Sequence, residues 1–445
     1  MAAADIASAT FHTLRLLFLD TSMSELGPSP LMAGDPQLSV DQACAAILAA
    51  LRPVQGQEFV PLHAAVGRVL AVDLICPMDV PPHDNSAMDG FAFDGAALRD
   101  GQTLALRLAG TVFAGAPSHA PVPSGACARI MTGAVMPAGA DTVVPQELAT
   151  LDGETVRIAP GVIRRGENRR KRGEDLARGK PALRAGRVLR PADVGLAASL
   201  GFTVLEVRRR LKVALFSTGN EVVAPGNPLP EGAIYDSNRF AIAAALQRLG
   251  MEVIDLGLVR DDPAALQATL ERAVREADAV LTSGGVSVGE ADFTREILAR
   301  MGEVAFWKVA MRPGRPFAFG PLRRDGAPPA WLFALPGNPV AALVTFYVFA
   351  REALLVLAGA TPEPLVSLSA RCTSALRKRP GRTEFQRGVV RRTADGAWEV
   401  ALVGSQGAGI LRSLSEANAL VVIGHDQGSV AAGEPVTVWL FDGLI

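Results

Sequence analysis

Residues 278–301 read DAVLTSGGVSVGEADFTREILARM. Positions 278–282 are a short, mostly apolar run that stops at a glycine turn, the mark of a buried strand. Gly284, Gly285 and Gly289 make a loop, and a helix follows near 293–301. Strand, glycine loop and helix in this order are one repeat of a parallel α/β sheet.

The same alternation extends on both sides. Residues 212–216 read as a buried strand, 236–249 as a helix and 252–259 as a strand. Asp262 caps a helix that has Pro263 at its first position and runs to about 277. Residues 331–335 form another strand and 339–357 a long helix. Residues 211–360 are therefore expected to be an α/β domain, mainly parallel, with helices on both faces. Ligands bind such sheets at the carboxyl ends of their strands. Four loops lie there: STGNE (217–221), SGGVSVGEAD (283–292), RPGRP (312–316) and LPGNP (335–339).

The flanking segments differ in texture. Residues 361–445 are short strands with frequent glycine, read as a small β barrel or sandwich. Residues 76–175 alternate short β-rich runs with Gly, Pro and Asp clusters, read as an inserted β-rich domain. Ser39 and Gln42 form a capping-box pattern ahead of Val40, Cys44, Ile47 and Leu51 at helical spacing. That helix, within 36–75, is expected to join 176–210 as a helical linker domain. Residues 1–35 read as a poorly ordered extension, with Met23 or Met32 as alternative starts.

At 445 residues the chain exceeds one ordinary core. Lys+Arg 44 against Asp+Glu 45 lacks the basic excess of a nucleic-acid binder. Cys44, Cys76, Cys127 and Cys372 form no CxxC pair, so neither a zinc site nor a disulfide framework is expected. No uncharged run of 18 apolar residues suggests a membrane span, and a cytoplasmic location is expected.

The 283–292 loop combines three glycines, which allow backbone N–H groups close to an anion, with Glu290 and Asp292. It reads either as a plain strand-to-helix turn or as a phosphate cradle with Mg²⁺ bridging carboxylate and phosphate. Glu221 and Asp236 could join such a metal site, and Asp236 reads equally well as a helix N-cap. Lys308, Arg312 and Arg315 are either a solvated loop or an oxyanion clamp stiffened by two prolines. HDNSAMDG (83–90) and IMTGA (130–134) read as turns entering strands. The basic run Arg164, Arg165, Arg169, Arg170, Lys171 and Arg172 reads as a solvated loop or a collector of phosphorylated ligand.

Taken together, NSAMDGFA (85–92), RIMTGA (129–134), GED (173–175), LFSTGNE (215–221), YDSNR (235–239), SGGVSVGEADF (283–293), FWKVAMRPGRP (306–316), LPGNPVA (335–341) and PGRTEFQRG (380–388) resemble successive motifs of the molybdopterin molybdotransferase family, the bacterial MoeA and eukaryotic gephyrin E-domain proteins. They stand in that family's order over about residues 36–440. The resemblance implies four domains and a homodimer with composite active sites. It implies Mg²⁺ as cofactor, molybdate and adenylyl-molybdopterin as substrates, and molybdenum cofactor and AMP as products. The molybdopterin adenylyltransferase and chaperones of apo-molybdoenzymes would be further partners, with no nucleic acid and no membrane. By motif match the catalytic residues fall on Asp89, Thr132, Asp175, Glu221, Asp236, Asp292, Lys308, Arg312 and Arg387. Substrate would be bound by Ser283, Gly284, Gly285, Ser287, Arg315, Pro336, Gly337 and Asn338. The metal would be held by Glu221, Asp236 and Asp292.

Three positions depart from the family pattern. Asn220 replaces an acid before Glu221, RPGRP replaces KPGKP, and Ala408 replaces a serine after Gln406-Gly407. Two other readings stand beside the insertase: an adenylyltransferase of molybdopterin, which would consume ATP, and a non-catalytic scaffold. The residues on the N-terminal side, with NSAMDG and RIMTGA, favour the insertase.

Overall fold

The computed structural model describes residues 37–285, 291–363 and 365–444, apart from the side chains of 291–293 and 444. The extension expected at 1–35 lies outside the described residues. The chain forms two compact units: Gln57–Arg208, and the remainder on either side of it.

The larger unit is built on a six-stranded sheet. In space its strands run Glu252–Val259, Lys212–Thr218, Ala279–Ser283, Ala330–Leu335, Pro316–Leu322 and Ala305–Lys308. The first four are parallel to their neighbours and the last two are antiparallel. The central strands are almost wholly buried, which is why their sequences are continuous apolar runs rather than alternating ones. Helices Pro263–Glu276 and Ala291–Met301 pack together over one face, and Asn238–Arg248 packs with Pro339–Thr345 over the other. The expected parallel sheet is thus present, with an antiparallel hairpin at one edge. Sequence reading took 305–322 as apolar runs around a charged loop, because the hairpin connection RPGRP carries no ordinary hairpin-turn sequence.

Asp278 opens the strand Ala279–Ser283 and ties it to the chain entering the sheet. Arg209 Nη1 and Nη2 donate to its two carboxylate oxygens at 2.7 and 2.9 Å, and Lys212 N donates at 3.0 Å. Burial pushes the Asp278 carboxyl up, but the Arg209 guanidinium and the Lys212 N–H together hold it below the usual carboxylate range. A depressed folded pKa gives stability that is present above the unfolded value and is lost as pH falls through the folded one. Asp278→Asn is expected to cost about 1.5–3 kcal/mol at neutral pH. It should also flatten the loss of stability on acidification, which urea melts at neutral and acid pH would measure.

The C-terminal strands close on themselves. Thr383–Arg392 pairs with Trp398–Leu402 on one side and with Ala419–Ile423 on the other, and Ser367–Cys372 and Pro435–Leu440 complete the ring. Of the two expected alternatives this is the barrel. Met311–Arg312 adds to it as a parallel strand on Thr383–Glu384, joining the barrel to the hairpin connection of the α/β sheet.

The capping box at Ser39 is formed: Gln42 N donates to Ser39 Oγ at 3.2 Å and Ser39 N to Gln42 Oε1 at 2.9 Å. The helix it starts, Val40–Ala50, belongs to the larger unit, whereas residues 176–208 belong to the smaller. It lies against the long helix Pro339–Leu357, with Cys44 Sγ 3.5 Å from Val348 O and Val54 N donating to Leu357 O at 2.8 Å. Its buried face is narrow and apolar, Val40, Ala43 and Ile47, so it fits against another apolar helix. Pro339–Leu357 has the length and hydropathy to cross a membrane, but 72% of it is buried inside this unit.

In the smaller unit, Gln57–Pro61 pairs antiparallel with Val204–Arg208 and Leu74–Ile75 with Pro181–Leu183. Between these pairs lies a second six-stranded sheet, in spatial order Thr142–Pro145, Gly90–Phe93, Ala126–Ile130, Leu104–Val112, Thr155–Ile158 and Ala149–Asp152.

Candidate active site

From Lys212–Thr218 the chain moves to one side of the sheet for its next strand and returns to the opposite side for Ala279–Ser283. The carboxyl ends of these two neighbours are a topological switch point, where the connecting loops diverge and leave a crevice. A cleft of about 760 Å³ opens there. Its floor is Thr218, Gly219, Gly284 and Gly285, and one wall is Pro336, Gly337 and Asn338. Glu221 and Asp236 line one end, Arg312 and Gly314 the other, and Gln406 and Ala408 reach in from the barrel.

Glycine is required in the floor. Gly284 has φ +94°, and a Cβ there would stand 2.6 Å from Thr218 O. The loops around it are fastened together by one side chain. Asn238 Nδ2 donates to Ser283 Oγ at 2.7 Å and to Gly337 O at 2.7 Å, while Ser283 Oγ donates to Pro336 O at 3.3 Å. Two of the four loops singled out in the sequence, 283–292 and 335–339, are thus joined with the start of the helix Asn238–Arg248 in one hydrogen-bonded rim.

Asp236 is buried, and both its oxygens are engaged. Oδ1 accepts from Ser217 Oγ at 3.0 Å and from Arg239 N at 3.2 Å, and Oδ2 accepts from Arg239 Nε at 2.8 Å. Arg239 also pairs with Asp255. Asp236 therefore fixes the start of the helix Asn238–Arg248 and neutralises a buried guanidinium. As a member of the expected metal set it lines the cleft with both oxygens already engaged by protein donors. Glu221 is exposed at the cleft, and no protein cation pairs with it among the described residues. Among those residues no cluster of three or more His, Cys, Asp or Glu could hold a metal unaided. One cleft carboxylate suits Mg²⁺, which commonly takes one or two carboxylates and completes its shell with water and substrate phosphate. Ser287 and Glu290 and the side chain of Asp292 lie outside the described residues.

The cationic end is built by the barrel. Arg387 is 1% exposed, yet it faces oxygens that carry no formal charge. Its Nε donates to Ser413 Oγ at 3.1 Å, and Nη2 donates to Ser405 O at 3.2 Å and Gly407 O at 3.0 Å. Burial, and then the nearby charge of Arg312, lower the Arg387 pKa. Like charges brought near one another favour a bound anion, and Arg312 is the one that lines the cleft. The same 405–408 loop ends on the helix N-terminus: Val340 N donates to Ala408 O at 3.0 Å. Ala408 thus contributes its backbone, a role independent of the missing hydroxyl. Lys308 ends the strand Ala305–Lys308. Arg315 lies across the connection from it, with Val309 N donating to Arg315 O at 2.8 Å. Both side chains are exposed, and of the three expected clamp cations only Arg312 lines the cleft.

In the smaller unit Asp89 and Thr132 are brought together. Asp89 Oδ1 accepts from Thr132 N and from Thr132 Oγ1, each at 2.7 Å. These bonds, with the charge of Arg129, hold the exposed Asp89 carboxyl below its usual range. Asp175 is exposed in the same unit, its N–H on Val80 O at 3.0 Å. Half of the basic run is ion-paired: Arg165 with Asp141 at 2.7 Å, Arg169 with Asp84 at 3.6 Å and Arg172 with Asp79 at 2.7 Å.

Sequence reading passed over Asn238, Arg239 and Ser217. Arg239 and Asn238 stood inside a quoted motif, but nothing local distinguishes them from surface residues of a helix first turn. Their roles come from loops far away in the chain.

The chain matches three family models: "MoeA N-terminal region (domain I and II)" over residues 38–201, "Probable molybdopterin binding domain" over 214–355, and "MoeA C-terminal region (domain IV)" over 369–441. It is 42% identical over 409 residues to the molybdopterin molybdenumtransferase of Haemophilus influenzae, covering 92% of this chain and 100% of that one. It is 37% identical over 405 residues to molybdopterin molybdenumtransferase 2 of Mycobacterium tuberculosis, covering 89% and 96%. Among solved structures, the molybdopterin biosynthesis moeA protein of Pyrococcus horikoshii OT3 superposes with a TM-score of 0.76 at 28% identity, over 91% of this chain and 100% of that one. The order of domains, the switch-point cleft and these matches agree, and the chain belongs to the MoeA family of molybdopterin molybdenumtransferases.

Proposed function

We propose that this protein inserts molybdate into adenylyl-molybdopterin, giving molybdenum cofactor and AMP. The observation that carries the proposal is a switch-point cleft whose floor is glycine backbone and whose lining includes Arg312, with the buried Arg387 near enough behind it to feel its charge. Such a cleft suits two anions at once. The pyrophosphate would lie over the glycine floor at Gly285, since the Gly284 N–H is held by Leu335 O at 3.1 Å, and molybdate would lie toward Arg312. Concentrating two mutually repelling oxyanions is the main task, and guanidiniums at the cleft supply the opposing charge. Molybdenum is captured by the dithiolene sulfurs of the pterin, so no protein thiol is needed. Consistent with this, Cys76, Cys127 and Cys372 are buried.

Glu221, with Asp292 as a second ligand, would hold Mg²⁺, which when bound polarises the phosphoanhydride as a Lewis acid. Asp236 serves by orienting Arg239 and the helix start. Glu221→Gln is expected to raise the Mg²⁺ needed for half-maximal rate about ten-fold or more, as loss of one charge-assisted contact implies. An unchanged Mg²⁺ dependence would remove Glu221 from the metal site.

The direct test of the activity is AMP release from adenylyl-molybdopterin with and without molybdate. Molybdate-dependent release supports the insertase, whereas ATP consumption on free molybdopterin would identify an adenylyltransferase.

We further propose a cytoplasmic homodimer in which Asp89 and Thr132 of one subunit complete the partner's site. Asp89→Asn and Glu221→Gln/Asp292→Asn chains, each inactive alone, should regain activity when subunits exchange. With random mixing about half the dimers are mixed, and about a quarter of all sites are intact. Exchange without recovery would assign these residues to one site in cis.

A further inference from the structure

Thr345 is fully buried at the end of the helix Pro339–Thr345, where the next turn widens to a π-helix over Phe346–Ala350. A helical threonine commonly turns its hydroxyl back to the carbonyl four residues earlier. Thr345 Oγ1 makes no such bond and has no hydrogen-bond partner. It points instead at the apex of the RPGRP connection: a Cβ on Gly314 would stand 2.3 Å from Thr345 Oγ1. Gly314 has φ +99° and lines the cleft between Arg312 and Arg315.

The connection is held at its base by backbone hydrogen bonds. Val309 N donates to Arg315 O at 2.8 Å, and Thr383 N donates to Ala310 O at 2.9 Å. Met311–Arg312 is paired with the barrel. At the apex a Cβ on Gly314 would meet the unpaired hydroxyl first, then Met311 Cε and Ala341 O, and Gly314 itself lines the cleft. A buried hydroxyl without a partner is costly, and π turns inside α-helices occur often at functional sites. A small shift of the Gly314 peptides would give the hydroxyl a partner.

We propose that Thr345 is a positioning residue for anion binding: its hydroxyl pairs with the Gly314 peptides when an oxyanion draws in Arg312, stabilising the occupied form of the loop. This rests on the reading of the cleft as an oxyanion site. It makes the hydroxyl valuable in the occupied state and unfavourable in the empty one. Thr345→Val, equal in shape, should therefore leave the melting temperature of the empty protein unchanged or raise it, while weakening binding. Thr345→Ser should preserve binding.

The test is calorimetric titration of the full chain with molybdate, with melting temperatures measured alongside. Thr345→Val is expected to bind about ten-fold more weakly, the effect of losing one hydrogen bond. Arg312→Ala serves as the control for the site itself. If Arg312→Ala loses binding and Thr345→Val does not, the role of Thr345 is overturned while the oxyanion site stands. If Thr345→Val lowers the melting temperature in step with its binding, the residue acts only in packing and the inference is overturned. If wild-type and Arg312→Ala chains respond to molybdate alike, or not at all, the oxyanion site fails and the inference falls with it.

Discussion

Arg387→Met is expected to lose molybdate-dependent AMP release about a hundred- to a thousand-fold, the usual cost of removing one preorganised donor from an anion site. The guanidinium is held in place by Ser413, Ser405 and Gly407, which supply no formal charge. Its charge is thus left to favour an anion bound in the neighbouring cleft, beside Arg312. Removing it leaves two carbonyls and a hydroxyl with one partner fewer, but it also removes an unneutralised buried charge beside Arg312. Those effects on stability oppose each other, so the activity loss should far exceed any change in melting temperature. Arg387→Lys keeps the charge and loses the fork, and should recover only part of the rate. Near-normal kcat/KM for Arg387→Met would show that the anion lies elsewhere.

Gly284→Ala is the second large effect. The added methyl would meet Thr218 O at 2.6 Å and Thr218 Oγ1 at 2.9 Å in a backbone conformation of φ +94°. Strain of the left-handed conformation and displacement of the strand end together are expected to cost about 2–4 kcal/mol. The shift also moves the cleft floor, so activity should be lost even in the folded fraction. Gly337→Ala is the matched control. A Cβ there meets only Gly284 Cα at 3.8 Å, so the variant should fold normally. Equal stability of the two variants, measured by denaturant melts, would show that the floor is not set by this close approach.

Much of the architecture was legible in the chain. The strand at 278–282 with its glycine loop, the buried strand at 212–216 and the helix capped by Asp262 are local features: apolar periodicity, a cap and a turn. The Asp262 cap is formed, with Ala265 N donating to Oδ2 at 2.8 Å. The capping box at Ser39 was equally local, but the partner of its helix was not. An apolar stripe records that a helix packs and leaves open on what. The antiparallel hairpin over 305–322 was missed for a related reason: its strands are short and apolar, and a barrel strand, not a recognisable turn, sets their connection.

The site divides the same way. Sequence alone determined which loops end the strands and which residues could meet anions there, because residue type and position within a βα repeat are properties of short stretches. Tertiary structure decided the roles. Asp236 became the partner of Arg239 and Ser217. Arg387 came to lie buried among uncharged oxygens, near enough to Arg312 to feel its charge. Thr345 came to lie under Gly314. The charge state and availability of a side chain depend on which distant groups surround it, and no spacing along the chain encodes those distances.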